Sequence, residues 1–420
     1  MAITTSPTGH FAEWLDLPYS DPDKTNAARV ADCPIFKAPA KVGPARFNHD
    51  WTATQLEERE IANNDVVALS DGVWKLNALV IDKANRKLRL GTSSTIGKHL
   101  LADDNTASGF LDLTGPVTLG GQRWKLTEYA SNIIGDAEKA AFTDIYIPED
   151  TENLNVQGWR DMQTTLTNLV INCPNSEAYL ATYGFQNNRK LTRLVVRVPR
   201  VKYIQSNAFA YSGHTYGYRF KNTNLDDWDL SGVETIGDNA FVMSDSSLTG
   251  TLRLPKVRSI ATGAFSGFAH GIRAVEFNSG KSASLAIAAS AFKTEGSFLA
   301  TNLNFRAKSY STFSISSTAF NNLAYLKNVT FEGTTENVAE GLDNLLTVIA
   351  ESDADKAVTV RGCAALGWKD VGDRNFVSDD EESAAPTFGY LGVWREGSRK
   401  AWIVDYKSLF GPKGTVFLLH

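Results

Sequence analysis

The chain has 420 residues, of which 43% are hydrophobic and 21% charged, and its formal net charge is −5. This composition predicts a packed structure and excludes an overall basic field, so no nucleic-acid partner is expected. No run of about 18 apolar residues occurs, so membrane insertion is not expected either.

Residues 1–50 hold six of the thirteen prolines, spaced between apolar anchors such as Phe11 and Trp14. This mixture predicts an ordered but irregular arm. The arm either caps the first repeat or docks on a neighbouring subunit, which would make the protein a homo-oligomer. The opening stretch MAITTSPTGHFAEW has no basic start and no apolar core, so it does not read as a signal peptide.

The next stretch is predicted to begin with a helix. Thr54 and Glu57 have capping-box spacing, which predicts a helix through QLEEREIA, so residues 1–64 form an arm and a capping helix. Strand-like patterns follow at 66–69, 73–82, 87–91, 109–115 and 122–130. We expect residues 65–160 to form an N-terminal cap and irregular first coils, because terminal repeats are usually atypical.

A nine-residue motif returns five times and has Ile at its fourth position and Ala-Phe at its end. The copies are VKYIQSNAF (201–209), VETIGDNAF (233–241), VRSIATGAF (257–265), SLAIAASAF (284–292) and TFSISSTAF (312–320). Between them lie strand-like units of the form Leu-x-x-Leu-x-Leu: LTRLVV (191–196), LDDWDL (225–230), TLRL (251–254), IRAVEF (272–277) and LKNVTF (326–331). Units that recur every few tens of residues predict a solenoid.

The Ala-Phe motif carries a second periodicity. In VETIGDNAF, the apolar residues Val233, Ile236, Ala240 and Phe241 have helical spacing, whereas residues 237–239 favour a turn. We therefore expect short 3₁₀ or single-turn helices here, with each motif Phe buried between coils.

The phrase Ile-Gly-Asp-x-Ala-Phe, with a strand ten to fifteen residues before it, resembles the BspA-type leucine-rich repeats of bacterial and protist surface proteins. The resemblance covers about residues 160–335 and implies a scaffold without specifying a ligand. The Asn or Cys that commonly follows the last strand Leu is missing, and no Cys follows Ala-Phe. The resulting fold class is a strand-rich α/β-type repeat solenoid, with repeats over 161–365, an irregular N-terminal cap and a small C-terminal antiparallel β unit.

The C-terminal region changes character. FGYLGVW (388–394), KAWIVDY (400–406) and GTVFLLH (414–420) predict three antiparallel strands, forming a β-hairpin unit over residues 386–420. Its aromatic side chains form either a core or a recognition face. Before this unit, GLDNLLTVIAES (341–352) has helical spacing, and SDDEES (378–383) is either a solvated loop or a calcium site.

No catalytic or cofactor motif is present. The six histidines are scattered, the cysteines Cys33, Cys173 and Cys363 have no metal spacing, and phosphate-binding or nucleophile-elbow motifs are missing. We expect free buried thiols, no cofactor and no enzymatic activity. A glycan-active enzyme stays as a distant alternative, because parallel solenoids can carry carboxylate pairs.

Two groups of residues are candidates for binding. Asp229, Arg253 and Glu276 occupy matching strand positions and are expected side by side, as a structural ladder or as a polar ligand face. The second group is Tyr211, His214, Tyr216, Tyr218 and Trp228. These residues belong to an insertion that makes the spacing between two successive strand units about ten residues longer than in the neighbouring repeats. We expect this insertion to be a recognition loop that is not needed to close the coil, or to pack over the solenoid flank.

The leading hypothesis is a non-catalytic adhesion protein, extracellular or at a cell surface, that binds a protein or glycan on another cell or particle. The alternative is a structural or receptor-binding part of a phage or injection particle, which the missing signal peptide and the Pro-rich arm favour.

Overall fold

The structure is a computed structural model. It describes residues 50–57, 61–91, 100–131, 133–154, 157–177 and 179–332, and after these 341, 344–345, 348, 358–361, 376–377, 390–396 and 399–404. The predicted arm over 1–49 with its expected subunit contact, most of the predicted helix over 341–352, the acidic run 378–383 and the predicted strand 414–420 lie outside these residues.

The first part of the described chain is a closed six-stranded barrel. Its strands are β1 (Trp51–Glu57), β2 (Val66–Ser70), β3 (Lys75–Asp82), β4 (Lys87–Leu90), β6 (Val117–Gly120) and β7 (Gln122–Tyr129), in the order β1-β2-β3-β4-β7-β6. Alternation in β3 buries Leu76, Ala78 and Val80 inside the barrel. The predicted strands of this region are present, but they close into a barrel, which removes sheet edges, instead of forming irregular coils.

β1 replaces the predicted capping helix, so that prediction was wrong for residues 54–57. β1 pairs antiparallel with β2 and parallel with β6, and it closes the barrel. A capping box contributes on the order of 1 kcal/mol. Two ladders of backbone hydrogen bonds satisfy more groups than that local signal, so the tertiary pairing wins.

Parallel coils stack from β8 onward, before the predicted boundary at residue 161. The helix α1 (Asp136–Ala141) leads into β8 (Phe142–Ile147), and this strand lies between β5 (Gly109–Asp112) and β9 (Asn168–Asn172), followed by β10 (Arg193–Arg197). Ile147, Ile171 and Val196 are direct neighbours on successive strands, so one apolar row runs through these coils. About seven turns of the solenoid follow one another.

The same strand sheet resumes further along the solenoid. Its strands are β13 (Thr251–Leu254), β15 (Ala274–Gly280), β17 (Asn302–Ala307), β19 (Asn328–Phe331) and β20 (Val358–Arg361). Leu254, Phe277, Phe305 and Phe331 lie in one row, as the motif spacing predicts.

A second parallel sheet runs through the Ala-Phe motifs. Its strands are β11 (Tyr203–Ile204), β12 (Thr235–Ile236), β14 (Ser259–Ile260), β16 (Ala283–Ile287) and β18 (Tyr310–Ile315). The motif Ile is therefore a strand residue, and turns follow it. The helical interpretation of this motif was wrong, because two strand residues followed by a turn also place four apolar side chains on one side.

The Phe side chains of the motifs form a stack, which confirms their predicted burial. Successive rings lie 4.9–5.2 Å apart and within 18° of parallel, in the order Phe185, Phe209, Phe241, Phe265, Phe292 and Phe320. Phe185 comes from YLATYGF, a copy that the sequence pattern missed because Gly184 replaces Ala. Its Leu180 pairs with Ile204 in the second sheet.

The residue before each Ala-Phe explains the polar part of the motif. Asn207, Asn239, Gly263 and Ser290 have φ between 53° and 64°, and Tyr183 has φ 62° at the matching position. Asn and Gly adopt this left-handed conformation at low cost, which suits the sharp turn from the second sheet into the Phe stack.

The C-terminal hairpin is continuous with the solenoid. β22 (Tyr390–Glu396) pairs antiparallel with β23 (Arg399–Val404) and with the short β21 (Phe376–Val377). β23 also pairs parallel with β20, so the hairpin extends the repeat sheet. None of the described helices has the length and apolar character needed to span a membrane.

Candidate functional site

Charged side chains form a ladder on the outer face of the strand sheet. Arg253 lies beside Glu276 on adjacent strands, as predicted, with 3.7 Å between Nε and Oε2. Arg306 continues the ladder, 3.2 Å from Glu276 and 3.0 Å from Glu332. Exposed pairs of this kind contribute only about 0–1 kcal/mol each. Because every carboxylate in the row faces a cation, the ladder is charge-balanced.

Asp229 is not part of this ladder, which corrects the predicted alignment. Asp226 takes its place, with Oδ1 2.7 Å from Arg253 Nη1, whereas Asp229 lies beside Arg197. The cause is a 3₁₀ turn, Leu225–Asp227, which replaces a strand in this coil and is capped by the Asn224 side chain. Counting residues from one strand to the next therefore fails in this coil.

The predicted recognition loop is fastened to the coil before it. The hydroxyl of Ser212 is buried and donates to the Phe185 carbonyl at 2.7 Å. Phe220 is 1% exposed, and a Cβ on Gly213 would lie 2.9 Å from its ring. The expectation that the insertion is not needed for folding was therefore wrong, because its ends contribute to the core.

His214 anchors the middle of the loop. Its Nδ1 accepts a hydrogen bond from the Ser244 amide at 2.9 Å, and the Tyr211 ring meets the imidazole edge-on at 5.4 Å. Burial, followed by the positive charges of Arg189 and Arg219, lowers the pKa of His214. The neutral imidazole is the form that accepts this hydrogen bond.

The two remaining loop tyrosines contact cations, and of these Tyr216 is exposed while Tyr218 is partly buried. The Tyr216 side chain is 84% exposed, and the Arg219 guanidinium lies over its ring at 5.0 Å from the centroid. The ammonium groups of Lys190 and Lys221 lie 5.8 Å and 5.9 Å from the centroid of the Tyr218 ring. Such cation–π contacts hold both partners in place on the surface.

Trp228 does not join the loop tyrosines. Its Nε1 donates to the Leu194 carbonyl at 2.8 Å, and its ring lies 5.9 Å from Phe241 and 5.8 Å from Phe268. The indole is a packing residue that closes the core beneath the 3₁₀ turn. Its assignment as a binding residue is therefore not supported by its position.

Three exposed tyrosines escaped the sequence analysis. Tyr179 and Tyr203 each precede the residues of the Leu180–Ile204 bridge, so they lie side by side on adjacent coils, 36% and 49% exposed. Tyr183, 36% exposed, follows on the same flank. Aligning YLATYGF with YIQSNAF would have revealed the neighbouring pair, because both segments begin with Tyr.

The described residues carry no sign of metal or thiol chemistry. No group of three or more His, Cys, Asp or Glu side chains in this part of the chain is arranged to hold a metal ion. Cys173 is free and buried, and burial raises the pKa of its thiol far above the usual value. The prediction of a free buried thiol is confirmed for Cys173, while Cys33 and Cys363 lie outside the described residues.

Coils whose strands stack in two parallel sheets around a column of phenylalanines define a leucine-rich repeat solenoid. A family model for the BspA type leucine rich repeat region matches six copies, over residues 137–269 and 214–342. Residues 137–342, about half of the chain, are therefore a BspA-type leucine-rich repeat region. Comparisons with curated proteins and with solved structures gave no match. The BspA-type repeats indicate a repeat-based interaction or surface scaffold, a fold typical of non-catalytic binding proteins.

Proposed function

We propose that the chain is a non-catalytic adhesion protein, extracellular or at a cell surface, which binds a protein or glycan on another cell or particle. One observation carries this proposal: exposed tyrosines are concentrated on two neighbouring coils. Eight large hydrophobic side chains of the described residues are exposed, and five of them are Tyr179, Tyr183, Tyr203, Tyr211 and Tyr216. We call these five residues the tyrosine patch.

Tyrosine suits this role for a physical reason. Its ring offers a large contact area, its hydroxyl can hydrogen-bond, and only two side-chain torsions have to be fixed on binding. In this patch the backbone is already held in place by parallel strands and by the buried ends of the loop. Binding therefore costs little additional ordering, which favours affinity.

The test is attachment of the purified chain to surfaces carrying candidate partners, measured by binding to whole cells and to an array of proteins and glycans. The variant Tyr179→Ser/Tyr203→Ser/Tyr216→Ser should weaken attachment by about tenfold or more, since interface tyrosines are frequent hot spots. Its melting temperature should stay close to that of the parent chain.

Tyr325 provides the matched control, because it is 54% exposed but lies outside the patch. Tyr325→Ser should leave attachment unchanged. Equal attachment of the triple variant and the parent chain would contradict the proposal.

A further inference from the structure

The charges of the coils that carry the tyrosine patch are strongly one-sided. Between Glu177 and Asp226 the sequence contains no Asp or Glu. The same stretch contains eight Lys and Arg residues: Arg189, Lys190, Arg193, Arg197, Arg200, Lys202, Arg219 and Lys221. In a chain with a net charge of −5, this is a local basic region that the total charge conceals.

Three of these cations surround the loop tyrosines. Arg219 lies over the ring of Tyr216, and both Lys190 and Lys221 lie over the ring of Tyr218. Arg189 is close enough to His214 for its charge to lower the imidazole pKa. We call Arg189, Lys190, Arg219 and Lys221, together with Tyr216 and Tyr218, the basic tyrosine cluster.

The cations of the cluster differ from those of the ladder in their partners. Within residues 179–332, Arg253, Arg258 and Arg306 each have a carboxylate within 4 Å. In the same range, no carboxylate of a described residue forms an ion pair with Arg189, Lys190, Arg219 or Lys221. Repulsion among neighbouring cations is unfavourable, so an anionic partner would relieve it.

The backbone of the loop is held in an unusual conformation. Tyr211, Arg219 and Phe220 have φ of 58°, 37° and 55°, in the left-handed region that non-glycine residues rarely adopt. Such residues are strained, and surrounding packing must offset the strain. Here the buried Phe220 ring and the Ser212 hydroxyl hold the loop, so the Arg219 and Tyr216 side chains have a fixed presentation.

The chemistry of the cluster selects among anionic partners. Guanidinium and ammonium groups bind carboxylate or sulfate groups, and flat tyrosine faces pack against the C–H faces of sugar rings. Between residues 179 and 332 every large exposed hydrophobic side chain is a tyrosine. Tyr and Arg are also frequent in protein interfaces, but tyrosine rings beside several cations match a polymer of sugar rings that carries acidic groups. This surface therefore favours an anionic sugar polymer.

We infer that the basic tyrosine cluster binds an anionic polysaccharide through its carboxylate or sulfate groups. This inference rests on the proposed adhesion function and names the class of its partner. The geometry assigns Arg219 and the two lysines to the acidic groups of the polymer. It assigns the exposed Tyr216 to a sugar ring between those groups.

The experiment is titration of the full chain against heparin, hyaluronan and neutral dextran at about 0.15 M NaCl, where exposed charges more than about 8 Å apart are screened. Heparin or hyaluronan should bind and dextran should not. The variant Lys190→Ser/Arg219→Ser/Lys221→Ser should bind the polysaccharide at least about tenfold more weakly, because three charge contacts are lost.

The matched control has the same change in net charge at the ladder. Arg253→Ser/Arg306→Ser/Lys308→Ser should bind the polysaccharide within about twofold of the parent chain, since a factor of two is well below 1 kcal/mol. If loss of Arg219 impairs folding, the double variant Lys190→Ser/Lys221→Ser keeps the test open, because both lysines make only surface contacts with Tyr218.

Two other polyanions separate the partner classes. Polyglutamate presents negative charge without sugar rings, and a single-stranded oligonucleotide presents it together with nucleobases. If either of them binds with the same affinity as the polysaccharide, the assignment to a polysaccharide is overturned. Absence of heparin and hyaluronan binding would overturn it as well. If attachment to cells still depended on Tyr179 and Tyr203 in that case, the adhesion function would remain supported. Failure of the polysaccharide assignment can therefore be distinguished from failure of the adhesion proposal.

Discussion

Two regions of the solenoid share one scaffold and differ in their surfaces. Coils 168–223 carry the tyrosine patch and the basic tyrosine cluster, whereas coils 251–332 carry the charge-balanced ladder. In both regions parallel strands keep the same register, and the same phenylalanine stack runs beneath them. The difference therefore lies in the outward-facing side chains and in the loop 211–220 of the first region.

This comparison separates stability from recognition. The scaffold residues of a coil are the strand apolar residues, the motif Ile and the stacked Phe, and these recur in every copy. Outward positions are free to vary because neighbouring coils do not need them for packing. Where outward charges are balanced, the surface has little attraction for a charged partner, and where they are one-sided, it has a strong one.

The largest expected effect tests the shared core. Phe209→Ala in the first region and Phe265→Ala in the second should each lower the free energy of unfolding by about 3–5 kcal/mol, as for other buried Phe truncations. Both rings are fully buried and stack on two neighbours. Urea denaturation followed by circular dichroism measures both changes.

Equal losses at the two sites would show that one continuous core supports both regions. A loss below about 1 kcal/mol at either Phe would contradict the stacked register there, because that is the range of surface substitutions. Tyr203→Ser serves as the control, since this side chain is 49% exposed.

A smaller effect distinguishes the first region by its pH dependence. The ordinary pKa of His is 6.5, and burial together with Arg189 and Arg219 lowers the pKa of folded His214, against a raising effect of Glu295. The unfolded chain therefore takes up this proton first as pH falls. Stability should be highest above pH 6.5 and decline as the pH decreases towards the lowered folded pKa.

The measurement is the melting temperature of the parent chain and of His214→Gln between about pH 7 and pH 5, the range in which an unperturbed His titrates. Gln keeps an acceptor for the Ser244 amide but does not titrate, so its profile should be flatter. Parallel profiles for the two proteins would show that His214 does not contribute to the pH dependence.

The smallest effect belongs to the ladder. Arg253→Ala should change the free energy of unfolding by only about 0–1 kcal/mol, because its pairs with Asp226 and Glu276 are exposed and separate in water at little cost. Chemical denaturation at low and at high salt checks this. A loss of several kcal/mol would mean that the ladder, and not only the core, holds the second region together.

Sequence periodicity predicted the parts of the fold that repeat. Leu254 and Phe277, the last apolar residues of two predicted strand units, are direct neighbours, because stacking imposes the same residue type at each level. The barrel around Leu76 and Val80 was not predictable in the same way. The barrel depends on pairing between strands that are far apart in the sequence, and no repeated sequence unit indicates that pairing.

The candidate site was predicted less well because loops do not follow the repeat. Asp229 was assigned to the ladder by counting, and a single 3₁₀ turn after Asn224 shifted the pairing to Asp226. Trp228 was assigned to the loop because of its position in the sequence, but its ring packs against Phe241 and Phe268 in the core. Tyr216 is exposed, as the recognition-loop alternative requires, whereas the other alternative, packing over the flank, fits the half-buried His214.

The spacing of the phenylalanine stack has a consequence for curvature. Its rings are 4.9–5.2 Å apart, and on the strand side Phe277, Phe305 and Phe331 are 4.8–5.1 Å apart. A solenoid bends into a horseshoe when one side of each coil is thicker than the other, as happens when helices pack behind strands. Between Phe265 and Phe331 the two sides rise by similar steps, so this part of the solenoid has no thicker side around which to bend. A stretch of this kind suits an elongated chain laid across several coils better than a rounded partner seated in a hollow.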